Sequence, residues 1–120
     1  MLVELVGKFY DNHSLSIVNR YLARELTKYC KVIISPIDSF KHEAKLDVET
    51  LEALEALKAT AEDTTPPDVQ IRHTYPPIWR WPASNDTKVV FIQPWEFSRV
   101  PFEWQYKFET FADALITFTR

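Results

Sequence analysis

Glycine is almost missing from this chain: Gly7 is the only one among its 120 residues. Loops that hold a nucleotide by its phosphates need several glycines, because their backbone amides must approach the phosphate oxygens closely. The sequence therefore contains neither a dinucleotide-binding turn nor a Walker A loop. Any nucleotide-dependent chemistry would need a phosphate site supplied from elsewhere.

Other scarcities exclude further classes of function. Cys30 is the only cysteine, so the chain has neither an internal disulfide nor a cysteine-rich zinc cluster. The three histidines, His13, His42 and His73, lack the spacing of metal ligands. We therefore expect no metal and no cofactor.

Long apolar runs are also missing, and none approaches the roughly 20 residues that a transmembrane helix requires. The first residues do not resemble a signal peptide, since Glu4 interrupts their apolar run and no basic leader precedes it. These features predict a cytoplasmic protein without a transmembrane segment. The formal net charge of −3, from 14 basic and 17 acidic residues, argues against a nucleic-acid partner.

Short β-favouring runs alternate with segments of helical periodicity along the chain. Four strands are predicted, at residues 2–6, 32–34, 69–71 and 89–92. A fifth at 115–118 competes with a continuation of the preceding helix to Ala114. The alternation predicts an α/β fold: one Rossmann-like three-layer domain over residues 1–120, with a mainly parallel sheet of about five strands. Because no covering helix follows the last strand, we expect the chain to be cut short at Arg120.

Three helices are expected between these strands. The first begins with Ser14 as its N-cap, the second covers residues 48–57, and the third opens at Pro101. The apolar side chains of the first helix that share one face at helical spacing are Leu15, Val18, Leu22 and Leu26. Asn19, next to this stripe, should be half-buried and could support the preceding loop, whereas Arg20 should be solvated.

Chemically versatile side chains follow three of the predicted strands. Ligands of open α/β sheets bind beyond the carboxyl ends of the strands, so these side chains are site candidates on one pocket edge. They are Asn12, His13 and Ser14 after the first strand, Arg72 and His73 at the end of the third, and Trp95 and Glu96 after the fourth.

Each group also has a plain structural interpretation. Residues 12–14 are as typical of helix capping as of binding a hydroxyl or an anion. Arg72 could hold a carboxylate or phosphate and His73 could act as a general base, or both could be ordinary strand-edge residues. Trp95 could stack on an apolar ligand face and Glu96 could accept a proton, or one could pack in the core and the other lie at the surface.

Hydrolytic chemistry has little support in the sequence. A serine nucleophile on a glycine-flanked elbow is not indicated, since the elbow glycines are missing. A glycosidase-type pair of carboxylates, Glu96 with Glu103 or Asp11, stays open, but the sequence gives no positive sign of it.

Three segments together resemble the N-terminal domain of bacterial glycosyltransferases of the GT-B type, related to family 4. They are residues 7–20 (GKFYDNHSLSIVNR), 67–77 (PDVQIRHTYPP) and 93–104 (QPWEFSRVPFEW). In that family an asparagine–histidine–serine loop, a strand that ends in arginine–histidine and a proline–tryptophan–glutamate turn follow in this order. The resemblance covers nearly the whole chain.

The resemblance implies two Rossmann-like domains with a cleft between them, of which this chain is the acceptor-side one. The acceptor would be a glycan or another hydroxyl compound, and a missing C-terminal domain would hold the nucleotide-sugar donor. Alone, the chain would be nearly inactive. The cleft residues carried over by position are His73 and Glu96 as catalytic residues, and Asn12, His13, Ser14, Arg72 and Trp95 as acceptor-binding residues.

The sequence departs from the family pattern in two places. Many members have a histidine soon after the fourth strand, where this chain reads QPWE at residues 93–96, and Glu96 would substitute for it. The ending at residues 116–120 also differs from the small-residue and proline ending that is typical of the family.

Two other functions stay open. A non-catalytic α/β interaction module would use the aromatic strand ends as a protein contact surface. A glycan-binding module would recognise a sugar without transferring it. Convergence of Asn12, Arg72, His73 and Glu96 in one cleft would favour the enzyme, since an interaction module has no need of it.

Overall fold

The computed structural model describes residues 1–39, 45–60, 64–93 and 101–117. Its elements are β1 (Leu2–Gly7), α1 (Ser14–Leu26), β2 (Lys31–Pro36), α2 (Val48–Leu57), β3 (Val69–His73), β4 (Lys88–Ile92), α3 (Phe102–Phe111) and β5 (Ala114–Ile116). The strands form one sheet in the order β2-β1-β3-β4-β5, and every neighbouring pair is parallel. The predicted α/β fold with a parallel sheet is confirmed, and it is compatible with a single Rossmann-like domain.

The strand order shows at which part of the sheet edge a ligand is expected. From β1 the chain moves to one side of the sheet to form β2, and β3 then pairs on the other side of β1. In open α/β sheets, ligands bind outside the carboxyl ends of the strands at such a switch point. The register pairs Gly7 with His73, so the carboxyl ends of β1 and β3 lie side by side.

One face of the sheet is covered by α1 and is called the α1 face below. Leu5 of β1 pairs in register with Ile34 of β2, so their side chains point to the same face. Both are buried, in a cluster that also contains Ala23 of α1 and Leu54 of α2. Removal of such aliphatic surface from water is the main stabilising contribution here, about 1.5–3 kcal/mol for each large side chain.

The opposite face carries α3 and is called the α3 face. Its core is aromatic: the Phe91 ring of β4 lies 5.2 Å from that of Phe108 and 5.4 Å from that of Trp79, measured between centroids. Trp79 belongs to the long connection from β3 to β4, which contains no helix. The aromatic rings therefore cover part of this face where a helix could otherwise pack.

The segment after α3 forms a fifth strand, and the alternative of a helix that continues to Ala114 is wrong. The helix α3 ends at Phe111, and β5 pairs with β4. The cause is Asp113, whose amide donates to the Val89 carbonyl at 2.8 Å and whose carboxylate accepts from the Val89 amide at 2.8 Å. Both groups dock the chain onto β4, so the helical hydrogen-bond pattern cannot continue. Phe118, at the end of the predicted strand, lies outside the described residues.

The predicted details of α1 are partly wrong. Its N-cap is His13, without a side-chain capping bond, and Ser14 is the first helical residue. The fully buried positions are Ser16, Asn19 and Ala23, whereas Val18 is 43% exposed. The helix is turned so that two polar side chains reach partners in the sheet edge and the preceding loop, as described below.

In the described ranges, every helix is too short or too polar to cross a membrane.

Candidate functional site

The loop between β1 and α1 is held in place by side chains from other elements. The carboxylate of Asp38 accepts hydrogen bonds from the amides of Phe9 and Tyr10, at 2.9 and 3.0 Å. Arg20 donates through Nη1 to the carbonyls of Phe9 and Asp11, both at 2.7 Å. The prediction that Arg20 is solvated is therefore wrong, because its guanidinium anchors the loop.

Asp11 completes the support of this loop. Its Oδ1 accepts from the His13 amide at 3.0 Å and from Ser16 Oγ at 2.5 Å. Burial alone raises the pKa of Asp11, but the hydrogen bonds from Ser16 and His13 outweigh it and lower that pKa below its usual value. The carboxylate therefore stays charged near the N-terminus of α1, where the helix dipole favours a negative charge.

These contacts fix the main chain and leave the side chains of Asn12, His13 and Ser14 exposed at the carboxyl end of β1. Because the main chain of the loop is already held in place, it has little conformational entropy of its own to lose when a ligand binds these side chains. The structure thus places three predicted acceptor-binding residues together at the expected edge. Their contact with an acceptor stays a prediction.

Asn19 joins this loop to the end of β3. Its Nδ2 donates to the Lys8 carbonyl at 3.1 Å and to the His73 carbonyl at 3.2 Å, and its Oδ1 lies 2.6 Å from Nδ1 of His73. Asn19 is 1% exposed, so it is buried more deeply than predicted. Sequence reasoning gave it a supporting role but did not connect it to His73.

Gly7 is required for this close approach. A Cβ atom added at Gly7 would lie 2.5 Å from Nδ2 of Asn19 and 2.7 Å from the His73 carbonyl oxygen. Both distances are shorter than real Cβ contacts, and the second involves main chain that cannot rotate away. The only glycine of the chain therefore makes room for the Asn19–His73 contact rather than for a phosphate.

His73 is buried at the end of β3, with 2% of its surface exposed. Within the described residues, its Nε2 is buried and has no hydrogen-bond partner. Burial lowers the pKa of His73, because desolvation disfavours the charged ring. At neutral pH the ring is uncharged, and one of its two nitrogens is unsatisfied in this part of the structure. Its catalytic role stays a prediction.

Arg72 lies on the α3 face, the side of the sheet opposite to His73. It donates through Nε to Gln70 Oε1 at 2.7 Å and through Nη1 to the carbonyls of Ile78 and Arg80 at 2.9 and 2.5 Å. Its Cζ also lies 5.5 Å from the centroid of the Phe91 ring. Burial, followed by the charge of Arg80, lowers the pKa of Arg72. Its contact with an acceptor stays a prediction, and this environment does not favour it.

A polar network continues from Arg72 across the sheet. Glu4 of β1 accepts from Ser35 Oγ at 2.5 Å and from Gln70 Nε2 at 2.6 Å, and Gln70 in turn accepts from Arg72. Glu4 and Gln70 line a cavity of about 390 Å³ on the α3 face. The sequence signal for this network was the carboxylate of Glu4 inside an apolar strand.

The predicted convergence is only partly observed. Residues 12–14 and His73 lie at the carboxyl edge of the sheet, and Asn19 bonds to His73 and to the Lys8 carbonyl of the loop that carries residues 12–14. Arg72 lies on the other face. Trp95 and Glu96 lie outside the described residues, so their predicted roles in acceptor binding and catalysis stay predictions. No group of three His, Cys, Asp or Glu side chains suited to a metal ion occurs among the residues described.

Comparison with known proteins gives no match for this chain among family models, curated proteins or solved structures.

Proposed function

We propose that this chain is the acceptor-side domain of a GT-B-type glycosyltransferase, which moves a sugar from a nucleotide-sugar donor to an acceptor hydroxyl. The observation that supports the proposal most is the edge at the switch point. There the exposed side chains of residues 12–14 belong to a loop whose main chain is held by hydrogen bonds, and Asn19 connects this loop to His73.

The chemistry of this edge suits a hydroxyl compound. Amide, imidazole and hydroxyl side chains can each donate to or accept from a sugar or alcohol hydroxyl. In a transfer reaction the acceptor oxygen forms a bond to the anomeric carbon while the bond to the donor phosphate breaks, and the hydroxyl proton must go to a base. A neutral histidine can accept it, and His73 is the candidate base. Because Nε2 of His73 is buried in this structure, the role requires that this atom becomes accessible when the substrates bind.

The same edge is poorly suited to holding the donor. The chain has no glycine-rich turn, and the space beside its one glycine is filled by the side chain of Asn19. In the proposed enzyme the donor diphosphate therefore belongs to a second domain. Closure of two domains around both substrates would exclude water and limit wasteful hydrolysis of the donor.

A titration followed by backbone-amide NMR tests the proposal. The probes are the methyl glycosides of glucose, galactose, mannose and N-acetylglucosamine, with uridine diphosphate as the comparison ligand. We expect at least one glycoside to shift the amides of residues 12–14 and of His73, and the diphosphate to leave them unchanged. Shifts that map to α2, or a response of the edge to the diphosphate alone, would contradict the proposal.

One observation favours a non-catalytic interaction module as a second candidate, with its contact surface on α1 and not at the aromatic strand ends. Three apolar side chains of α1, Ile17, Val18 and Tyr21, are 51%, 43% and 66% exposed. Exposed apolar groups that lie together on a helix are typical of a protein contact surface. The glycoside titration distinguishes the two functions, because an interaction module should show no shift with any glycoside. In an acceptor-side domain, Tyr21→Ser should leave the glycoside-induced shifts unchanged, since Tyr21 lies outside the acceptor edge.

A further inference from the structure

The orientation of the Asn19 side chain can be assigned from its partners. The atom that faces the carbonyls of Lys8 and His73 must be the amide nitrogen, because an oxygen there would have no donor to accept from. The amide oxygen of Asn19 is then the atom 2.6 Å from Nδ1 of His73. Since this oxygen can only accept, Nδ1 must carry the proton.

The protonation of Nδ1 determines the state of the other ring nitrogen. In a neutral imidazole one nitrogen donates and the other presents a lone pair. Burial lowers the pKa of His73 and so favours the neutral ring. The Nε2 atom is therefore a hydrogen-bond acceptor, and it is buried without a partner in the described parts of the chain.

An unsatisfied buried acceptor is uncommon in native proteins and requires an explanation. The surrounding groups fix the other ring nitrogen: Gly7 leaves space for Asn19, which donates to two main-chain carbonyls while its oxygen meets Nδ1. A purely structural histidine could satisfy Nε2 or be replaced by an apolar residue. The cluster lies at the switch point, where ligands of this fold class bind.

We propose that Asn19 is a positioning residue that holds His73 in the Nδ1–H tautomer, so that Nε2 accepts a hydrogen bond from a ligand hydroxyl. The inference deepens the proposed function and rests on it for the identity of the ligand. It also defines a specificity: the group that meets Nε2 must be a hydrogen-bond donor. A fully ionised phosphate or carboxylate offers no proton to this lone pair.

The tautomer can be measured by NMR spectra that correlate the ring nitrogens of each histidine with its carbon-bound ring protons. The signals of His73 are assigned by their loss in His73→Asn. At about pH 8, where an ordinary histidine is neutral, we expect a protonated Nδ1 and an unprotonated Nε2 for His73 in the unmodified chain. A protonated Nε2 would overturn the proposal without any variant of Asn19.

Two substitutions at Asn19 separate positioning from mere packing. In Asn19→Leu the acceptor for Nδ1–H is lost, and the tautomer ratio should move towards Nε2–H by about fivefold, the equivalent of one ordinary hydrogen bond. In Asn19→Asp one carboxyl oxygen still accepts from Nδ1, so the Nδ1–H tautomer should persist at high pH while the pKa of His73 rises. The other oxygen faces the carbonyls of Lys8 and His73 in place of a donor, so this variant should also lose stability. If Asn19→Leu folds and leaves the ratio unchanged, the proposal is wrong; if neither variant folds, the tautomer of the unmodified chain decides.

Thr87→Val is a matched control. Thr87 is also a buried polar residue that donates to a main-chain carbonyl, that of Pro67 at 2.7 Å, but it precedes β4 at the opposite end of the sheet. Its replacement should destabilise the chain without any change in the His73 tautomer. A similar tautomer shift in this variant would show that general loosening, not Asn19, sets the ratio.

The ligand part of the proposal is tested with the methyl glycosides and with acetate, a carboxylate that is fully ionised at about pH 8 and has no hydrogen-bond donor. A glycoside that binds should move the Nε2 signal towards that of a protonated nitrogen, and acetate should not. If a glycoside shifts the amides of residues 12–14 but leaves the Nε2 signal unchanged, the role of His73 is wrong and the proposed function still stands. A third result is that Asn19 sets the tautomer but no glycoside changes the His73 signals. That result would contradict the proposed function and the hydroxyl ligand, and would support only the positioning of His73 by Asn19.

Discussion

The two faces of the sheet at the end of β3 carry adjacent polar residues with opposite environments. On the α3 face, Arg72 is buried and donates to a side chain and to two main-chain carbonyls. On the α1 face, His73 is equally buried, yet its Nε2 meets no partner in the described chain. The two side chains are therefore alike in burial and differ in the number of satisfied hydrogen bonds, and the proposed role of His73 rests on that difference.

The largest effect on stability is expected when the hydrogen bonds donated by Arg72 on the α3 face are removed. Arg72→Met keeps much of the volume but leaves Gln70 and the carbonyls of Ile78 and Arg80 without their donor. We expect a loss of about 3–5 kcal/mol in the free energy of unfolding, because buried acceptors lose their partners. Chemical denaturation measures it. The matched control Arg80→Met, at an exposed side chain, should cost less than about 0.5 kcal/mol, and equal losses in the two variants would refute the structural role of Arg72.

A smaller loss is expected from crowding on the α1 face. Gly7→Ala places a methyl group against Asn19 and the His73 carbonyl, and should destabilise the chain by about 1–3 kcal/mol. The double variant Gly7→Ala with Asn19→Ala should cost less than the sum of the single variants, since one of the two clashes is removed. Strict additivity in denaturation experiments would show that crowding between residue 7 and Asn19 is not the cause.

The neutral state of His73 predicts a dependence of stability on pH. Its folded-state pKa is lowered from the ordinary value of 6.5, so between the two values the unfolded chain binds more protons than the folded one. The contribution of His73 to the free energy of unfolding is then highest above pH 6.5 and falls as the pH drops towards its folded-state pKa. His73→Asn should reduce this loss, and the same pH dependence in both proteins would contradict the assignment.

The smallest effect on stability is expected at the exposed loop. His13→Ala and Ser14→Ala remove surface side chains and should each change the free energy of unfolding by less than about 0.5 kcal/mol. If the edge binds an acceptor, the same variants should weaken the glycoside-induced amide shifts. Binding that is unchanged in both would remove these two residues from the proposed site.

The sheet was predictable because its signal is local. Alternation of β-favouring runs with helical repeats identifies βαβ units, and a parallel order follows from the length of the connections. The end of α3 was ambiguous, since Leu115 fits a helical stripe as well as a strand. Only the contact of Asp113 with β4, distant in sequence, decides between them.

The candidate site was predicted only in part because its decisive contacts are not local. The bond between Asn19 and His73 spans 54 positions, and that between Gln70 and Glu4 spans 66. A stripe of apolar residues in α1 suggested that Val18 faces the core, whereas hydrogen bonds with remote partners turn Asn19 inwards instead. For Arg72 the sequence left ligand binding and an ordinary strand-edge position open, because the loop whose carbonyls accept from its guanidinium has no recognisable sequence pattern.

The central claim, that the His73 side of β3 binds a hydroxyl ligand, is tested most directly by a calorimetric titration of the unmodified chain and of His73→Asn with one methyl glycoside. Asparagine can keep a donor towards Asn19 but has no atom in place of Nε2. The account predicts binding that is weakened about tenfold, the equivalent of one hydrogen bond to a buried acceptor, while the fold is retained. Equal affinity of the two proteins for the glycoside would contradict it.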